Sequence, residues 1–133
     1  MNDLISICRK RLKNFGYALH GIFFFIKREP NAKFYLVMTI VLPVVGFYCH
    51  LRRSEWIALV FAGSLVWMAE ALNTGIELLG DEISLEQRER IGRAKDVAAG
   101  GVLLAAIGAV VIGVIVFAPH LARIFHTNPT AAC

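Results

Sequence analysis

The sequence predicts an all-α integral membrane protein, with three membrane-spanning helices behind an amphipathic amino-terminal surface helix. Three observations lead there. Apolar side chains make up 57% of the 133 residues and are gathered in long blocks. Only 18% of the residues are charged, against roughly 25% in soluble domains. The 14 Lys and Arg residues crowd beside alternate ends of those blocks, as the topology rule for membrane helices requires. A mean hydropathy of +0.62 excludes a disordered chain. The length suits one domain, expected over 1–120, with 121–133 as a short tail outside the membrane. Cys8, Cys49 and Cys133 are odd in number and widely spaced, and they form neither a disulfide framework nor a zinc pattern.

The surface helix is expected over about 5–29. Its apolar stretch, Phe15 to Ile26, is too short to span and is flanked by Arg9–Lys13 and by Lys27 and Arg28. That composition suits a helix lying in the headgroup layer. Pro30 pushes the preceding residue out of the α region and can itself open a helix, so Glu29 should sit at a corner near the membrane boundary.

The first span is expected over 31–51. Phe34 to Leu51 contains no Asp, Glu, Lys or Arg, and Pro43 within it predicts a kink. The second is expected over 55–81. Its apolar run from Trp56 to Ala69 is too short alone, so the helix must continue through Glu70, Asn73 and Glu77. The third is expected over 93–118, where Val97 to Ala118 carry no formal charge. Gly101, Ala105 and Ala109 recur every fourth residue, which predicts close helix packing in a bundle.

Seven basic residues precede the uncharged block Phe34 to Leu51 of span one: Arg9, Lys10, Arg11, Lys13, Lys27, Arg28 and Lys33. Arg52 and Arg53 occupy the next loop, Arg88, Arg90, Arg93 and Lys95 the one after, and Arg123 alone follows span three. The amino terminus and the second loop should therefore face the cytoplasm, and the carboxyl terminus should lie outside. The net charge of +4 is concentrated beside apolar blocks, so it suits an anionic membrane surface and not nucleic acid.

Glu70, Asn73, Glu77 and Asp81 are spaced 3, 4 and 4 apart. At 100° per residue they fall within about 80° of one another, on a single helical face descending into the bilayer from the cytoplasm. An acidic side chain near the centre of a span costs about 2.5–3.5 kcal/mol on insertion scales, which argues for a partner or a task. Each residue also has a plain reading: Asn73 bonding a neighbouring helix, Asp81 solvated, Glu77 paired with Lys95, and Lys95 snorkelling to the interface. Together, carboxylates and an amide are the oxygen ligands that Mg²⁺ takes alongside substrate phosphates. Glu29 at the same boundary, and Lys95 and Asp96 opening span three, extend that site. No glycine-rich P-loop and no soluble-kinase signature is present. Two other function classes share the composition: a small proton-coupled transporter and a non-catalytic helical membrane subunit.

Glu70-Ala71-Leu72-Asn73-Thr74-Gly75-Ile76-Glu77, then Asp81, then Gly92-Arg93-Ala94-Lys95-Asp96 with Ala98-Ala99, resembles the bacterial integral-membrane diacylglycerol kinase and undecaprenol kinase family. Gly16-Tyr17, Gly21 and Glu29 extend the likeness upstream, so that it covers roughly 10–118. The resemblance implies a homotrimeric bundle in the bacterial cytoplasmic (inner) membrane, with active sites between subunits. It implies transfer of the γ-phosphate of Mg-ATP to the hydroxyl of a membrane lipid, diacylglycerol or undecaprenol. By matching position, Glu70 looks like the general base, and Glu29 and Glu77 like ligands of Mg²⁺ under the ATP phosphates. Asn73 and Asp81 look like support for that shell. Lys95 and Asp96 look like ATP contacts, and Lys10, Tyr17 and Glu86 like the nucleotide rim. Lys10, Tyr17, Glu70 and Ala99 look like the lipid side.

The chain departs from the family pattern in three places. Position 10 is Lys where arginine is common in the diacylglycerol branch, and position 88 is Arg where a His is usual. Glu29-Pro30-Asn31-Ala32-Lys33-Phe34-Tyr35 keeps the Asn of the undecaprenol pattern, matches its Arg only partly with Lys33, and has Tyr35 in place of its His.

Overall fold

The computed structural model describes residues 2–83 and 88–126. They form four helices: α1 Asn2–Arg28, α2 Pro30–Tyr48, α3 Arg53–Ile83 and α4 Glu89–His126. Among the described residues there is no strand. Three helical stretches are long and apolar enough to cross a membrane: Pro30–Tyr48, Arg53–Ile83 and Glu89–Arg123. The chain itself buries 11%, 22% and 11% of their most apolar windows, so lipid or a partner must cover the rest. By contact, the chain divides into two compact units, Met1–Leu36 and Val37–Cys133.

In the first unit, α1 ends where the sequence places its corner. Glu29 is the one residue between the two helices. Its N–H donates to the Phe25 carbonyl at 3.0 Å, and its own carbonyl accepts from the Ala32 N–H at 3.2 Å. Pro30 opens α2, where its missing N–H leaves no bond unmade. Lys27 and Arg28 fold back over the rings of Phe23 and Phe24, the Lys27 Nζ lying 4.6 Å from its ring centre. The basic end of α1 thus keeps its stems on apolar surface.

The second unit opens on the end of α2, which is capped with a full set of bonds. The Leu51 N–H reaches back to the Gly46 carbonyl at 3.1 Å and the His50 N–H to the Phe47 carbonyl at 3.2 Å. This is the Schellman arrangement, and it puts His50 in the left-handed region with φ 52°. A Cβ on Gly46 would lie 2.8 Å from the Trp56 ring, so glycine there lets the indole rest on the helix backbone. Glu55 then starts α3 by accepting the Arg52 N–H at 2.6 Å, one half of a capping box. Higher up, Trp67 Nε1 donates to Thr39 Oγ1 at 2.9 Å.

The dominant packing is the α3–α4 hairpin. Ala62, Val66, Glu70 and Thr74 are buried along α3 at four-residue steps. The less exposed face of α4 includes Ile91, Lys95, Ala98, Val102, Ala105, Ala109, Ile112, Val116 and His120, in steps of three or four residues. Such steps keep one face of α4 turned toward α3 along the hairpin. Ala105 and Ala109 lie on this packed side, whereas Gly101 is exposed with open space beside it. Gly101, about 40° round from Ala105, lies at the edge of that packed face.

α4 also runs on past 118, through Pro119 to His126, so the start of the 121–133 stretch is helical. His120 gives the reason. It is buried, and its Nε2 lies 3.2 Å from Glu55 Oε1, which ties the far end of α4 to the first turn of α3.

Candidate functional site

At 1.5 Å per residue the 31 residues of α3 extend about 46 Å, well beyond a hydrocarbon core of about 30 Å. At least one end of it therefore extends beyond such a core, and along the acidic face exposure rises toward the carboxyl-terminal turns. Glu70 is 4% exposed, Asn73 and Glu77 are half-buried, and Asp81 is exposed.

Two bonds organise this face. Asn73 Nδ2 donates to Glu77 Oε1 at 3.1 Å, one turn apart on the same helix. Lys95 Nζ donates to Asp81 Oδ1 at 2.6 Å, from the first turns of α4 to the last of α3. The lysine thus pairs with Asp81, and Glu77 with Asn73, so the reading in which Glu77 pairs with Lys95 does not hold. The reason is register: Lys95 packs beside Gly80, next to Asp81, while Glu77 lies one turn deeper.

Two oxygens on the face are buried without a hydrogen-bond partner, Asn73 Oδ1 and Thr74 Oγ1. Leaving a buried polar group unsatisfied costs about 1–3 kcal/mol. The Asn73 amide nitrogen is engaged with Glu77, which leaves its oxygen as an unused acceptor. An amide oxygen beside a carboxylate is a donor set that fits Mg²⁺, which takes oxygen ligands and is usually held by one or two carboxylates plus substrate phosphate. Among the described residues no three His, Cys, Asp or Glu side chains converge as a metal cage.

The other candidates lie as follows. Asp96 and Ala99 are exposed at the start of α4. Lys10 and Tyr17 are exposed on α1, and Glu29 is half-buried at its end, all in the first unit. Glu86 falls outside the described residues. Sequence reasoning passed over two neighbours. Thr74 shares the buried face of Glu70 one turn on, a four-residue spacing visible in the sequence. Gly80 is buried under α4, and only the fold reveals its role.

The profile of prokaryotic diacylglycerol kinases matches residues 16–117, which include every residue of this face. The chain is 31% identical over 109 residues to the undecaprenol kinase of Bacillus subtilis (strain 168), covering 82% of this chain and 89% of that protein. It is 29% identical over 109 residues to the diacylglycerol kinase of Escherichia coli (strain K12), with the same coverage of 82% and 89%. It is 32% identical over 111 residues to the diacylglycerol kinase of Synechocystis sp. (strain ATCC 27184 / PCC 6803 / Kazusa), covering 83% of this chain and 63% of that protein. With three apolar helices of spanning length and a family match over most of its length, the chain belongs to the prokaryotic diacylglycerol kinase family.

Proposed function

We propose that the protein is a lipid kinase that moves the γ-phosphate of ATP to the hydroxyl of a membrane lipid, diacylglycerol or undecaprenol. The observation that carries this reading is the depth order on α3. A buried Glu70 lies below the bonded Asn73–Glu77 pair, and the Lys95–Asp81 pair closes the same face above them. A lipid hydroxyl arrives from the bilayer side and a nucleotide from the aqueous side. A face graded from buried to exposed serves both.

In this reading Glu70 takes the proton of the lipid hydroxyl. The lipid oxygen then forms a bond to the γ-phosphorus, the bond from that phosphorus to the β-phosphate oxygen breaks, and ADP leaves. No covalent enzyme intermediate is needed, so catalysis rests on positioning and charge neutralisation. Bound Mg²⁺ would supply neutralisation of phosphate charge, held through Glu77 and, by the family resemblance alone, Glu29. Asn73 orients Glu77 through its amide, and Asp81 orients Lys95. Lys95 meets phosphate as a point charge and Asp96 serves the nucleotide. By the family resemblance alone, Lys10, Tyr17 and Glu86 are assigned to the nucleotide rim, and Lys10, Tyr17 and Ala99 to the lipid side with Glu70. The working unit is a homotrimer in the bacterial inner membrane, with the amino terminus cytoplasmic and the carboxyl terminus outside.

Purified protein in lipid-like micelles, given Mg-ATP labelled in the γ-phosphate, tests this directly. Diacylglycerol and undecaprenol are offered separately. Label in either lipid supports the kinase and assigns its acceptor. Absence of label in both, with the protein folded and Mg present, rejects the proposal.

A further inference from the structure

We propose that Gly80 is a positioning residue for Lys95: by lacking a side chain, it lets the lysine stem lie across α3 and keeps the ammonium at Asp81. The inference rests on the reading above, in which Lys95 meets the nucleotide. Its geometry stands by itself.

Gly80 lies in the last turns of α3 and is buried. The backbone does not call for glycine there, because no glycine in the described chain has positive φ. Glycine inside a helix is disfavoured relative to alanine, so its presence calls for a contact. That contact is specific. A Cβ built on Gly80 would lie 3.0 Å from Ile91 Cγ2, 3.1 Å from Lys95 Cε and 3.9 Å from Lys95 Cδ. Gly63 and Gly75, on the same helix, have nothing within 4 Å of such an atom. Two carbons of the lysine stem thus rest on the missing side chain, and the next atom along, Nζ, reaches Asp81 Oδ1 at 2.6 Å.

A methyl group at 80 must push both neighbours back by a few tenths of an ångström. Ile91 is held close to the backbone of α4 by its short branch. The end of the lysine stem is free to swing, and it carries Nζ away from Asp81. Alanine also favours the helix, so the substitution keeps or raises stability while moving the ammonium.

The test uses the full chain in micelles and three readouts. They are the rate at which a water-soluble acylating ester modifies Lys95, read by mass spectrometry; the KM for Mg-ATP and the kcat for lipid phosphorylation; and Tm. Gly80→Ala is expected to raise Lys95 reactivity several-fold and KM several-fold, with kcat and Tm held. In a Lys95→Ala background, Gly80→Ala should change nucleotide affinity no further. The pair Gly80→Ala with Ile91→Ala relieves the helix contact but keeps the lysine contact, and should show the same reactivity rise even if the single variant folds poorly. Unchanged Lys95 reactivity in that pair overturns the inference. So does a fall in Tm with KM unmoved, or a released Lys95 with unchanged KM. The acylation needs no turnover, so a wild-type protein that phosphorylates no lipid would defeat the proposed function and leave the geometry to be judged separately.

Discussion

Lys95 Nζ meets Asp81 Oδ1 at 2.6 Å and joins the end of α3 to the start of α4. The two side chains are 33% and 50% exposed, so water screens the pair and it contributes only about 0–1 kcal/mol to stability. What the pair supplies is placement. A cation is held at the top of the acidic face, where a phosphate can compete with Asp81 for it. Lys95→Ala should therefore weaken Mg-ATP binding about 10–100-fold, the equivalent of a charged hydrogen bond of ~1.5–3 kcal/mol, with little change in Tm. Binding measured by titration calorimetry checks it. Unchanged affinity removes Lys95 from the nucleotide site.

The Asn73–Glu77 bond predicts a different pattern. In the proposed site Glu77→Gln would remove a charged oxygen ligand, and it should lower both Mg-ATP affinity and turnover. Asn73→Ala removes the group that orients it and should raise the Mg²⁺ concentration for half-maximal rate about 10–100-fold, the usual loss on removing an outer-shell partner. Excess Mg²⁺ should partly rescue Asn73→Ala and not Glu77→Gln. Chelating the metal should abolish transfer by the wild type. Equal response of the two variants to Mg²⁺ would contradict the division of roles.

At the other end of the hairpin, His120 is buried against Glu55, far along both helices from the acidic face. His120→Ala should lower Tm by several degrees and leave KM for Mg-ATP unchanged, because it loosens the hairpin and touches no reacting group. Thermal unfolding followed by circular dichroism, with kinetics on the same sample, separates the effects. A raised KM would mean that the ends of the hairpin are coupled.

Cys49 is a free, half-buried thiol in the turn between α2 and α3. In the orientation proposed from the Lys and Arg distribution, that turn lies on the outer side of the membrane. With Cys8 and Cys133 changed to Ser, a membrane-impermeant maleimide should label Cys49 in intact cells. Labelling only after the membrane is opened would reverse the orientation.

Helix type and number were legible because long uncharged blocks and Lys and Arg placement are one-dimensional signals. The break at Glu29 was legible because proline acts on its immediate neighbour. The 3- and 4-residue spacing of Glu70, Asn73, Glu77 and Asp81 likewise fixed a shared face before any tertiary contact was known. What sequence could not supply is register between helices. The choice of Asp81 over Glu77 by Lys95, the room left by Gly80 and the clasp of His120 on Glu55 all depend on how α4 slides along α3. The extension of α4 through Pro119 follows from that clasp, because anchoring His120 holds the helix together past the residue that should end it.

Glu70, the buried carboxyl on the acidic face of α3, is the residue proposed as the base for phosphoryl transfer to a lipid hydroxyl. The most direct measurement compares wild type and Glu70→Gln for transfer of labelled γ-phosphate, with Mg-ATP binding measured on the same preparations. Transfer should fall about 10²–10⁴-fold, the range for a positioned general base, while Mg-ATP binds as before. Near-normal transfer by Glu70→Gln would contradict the claim.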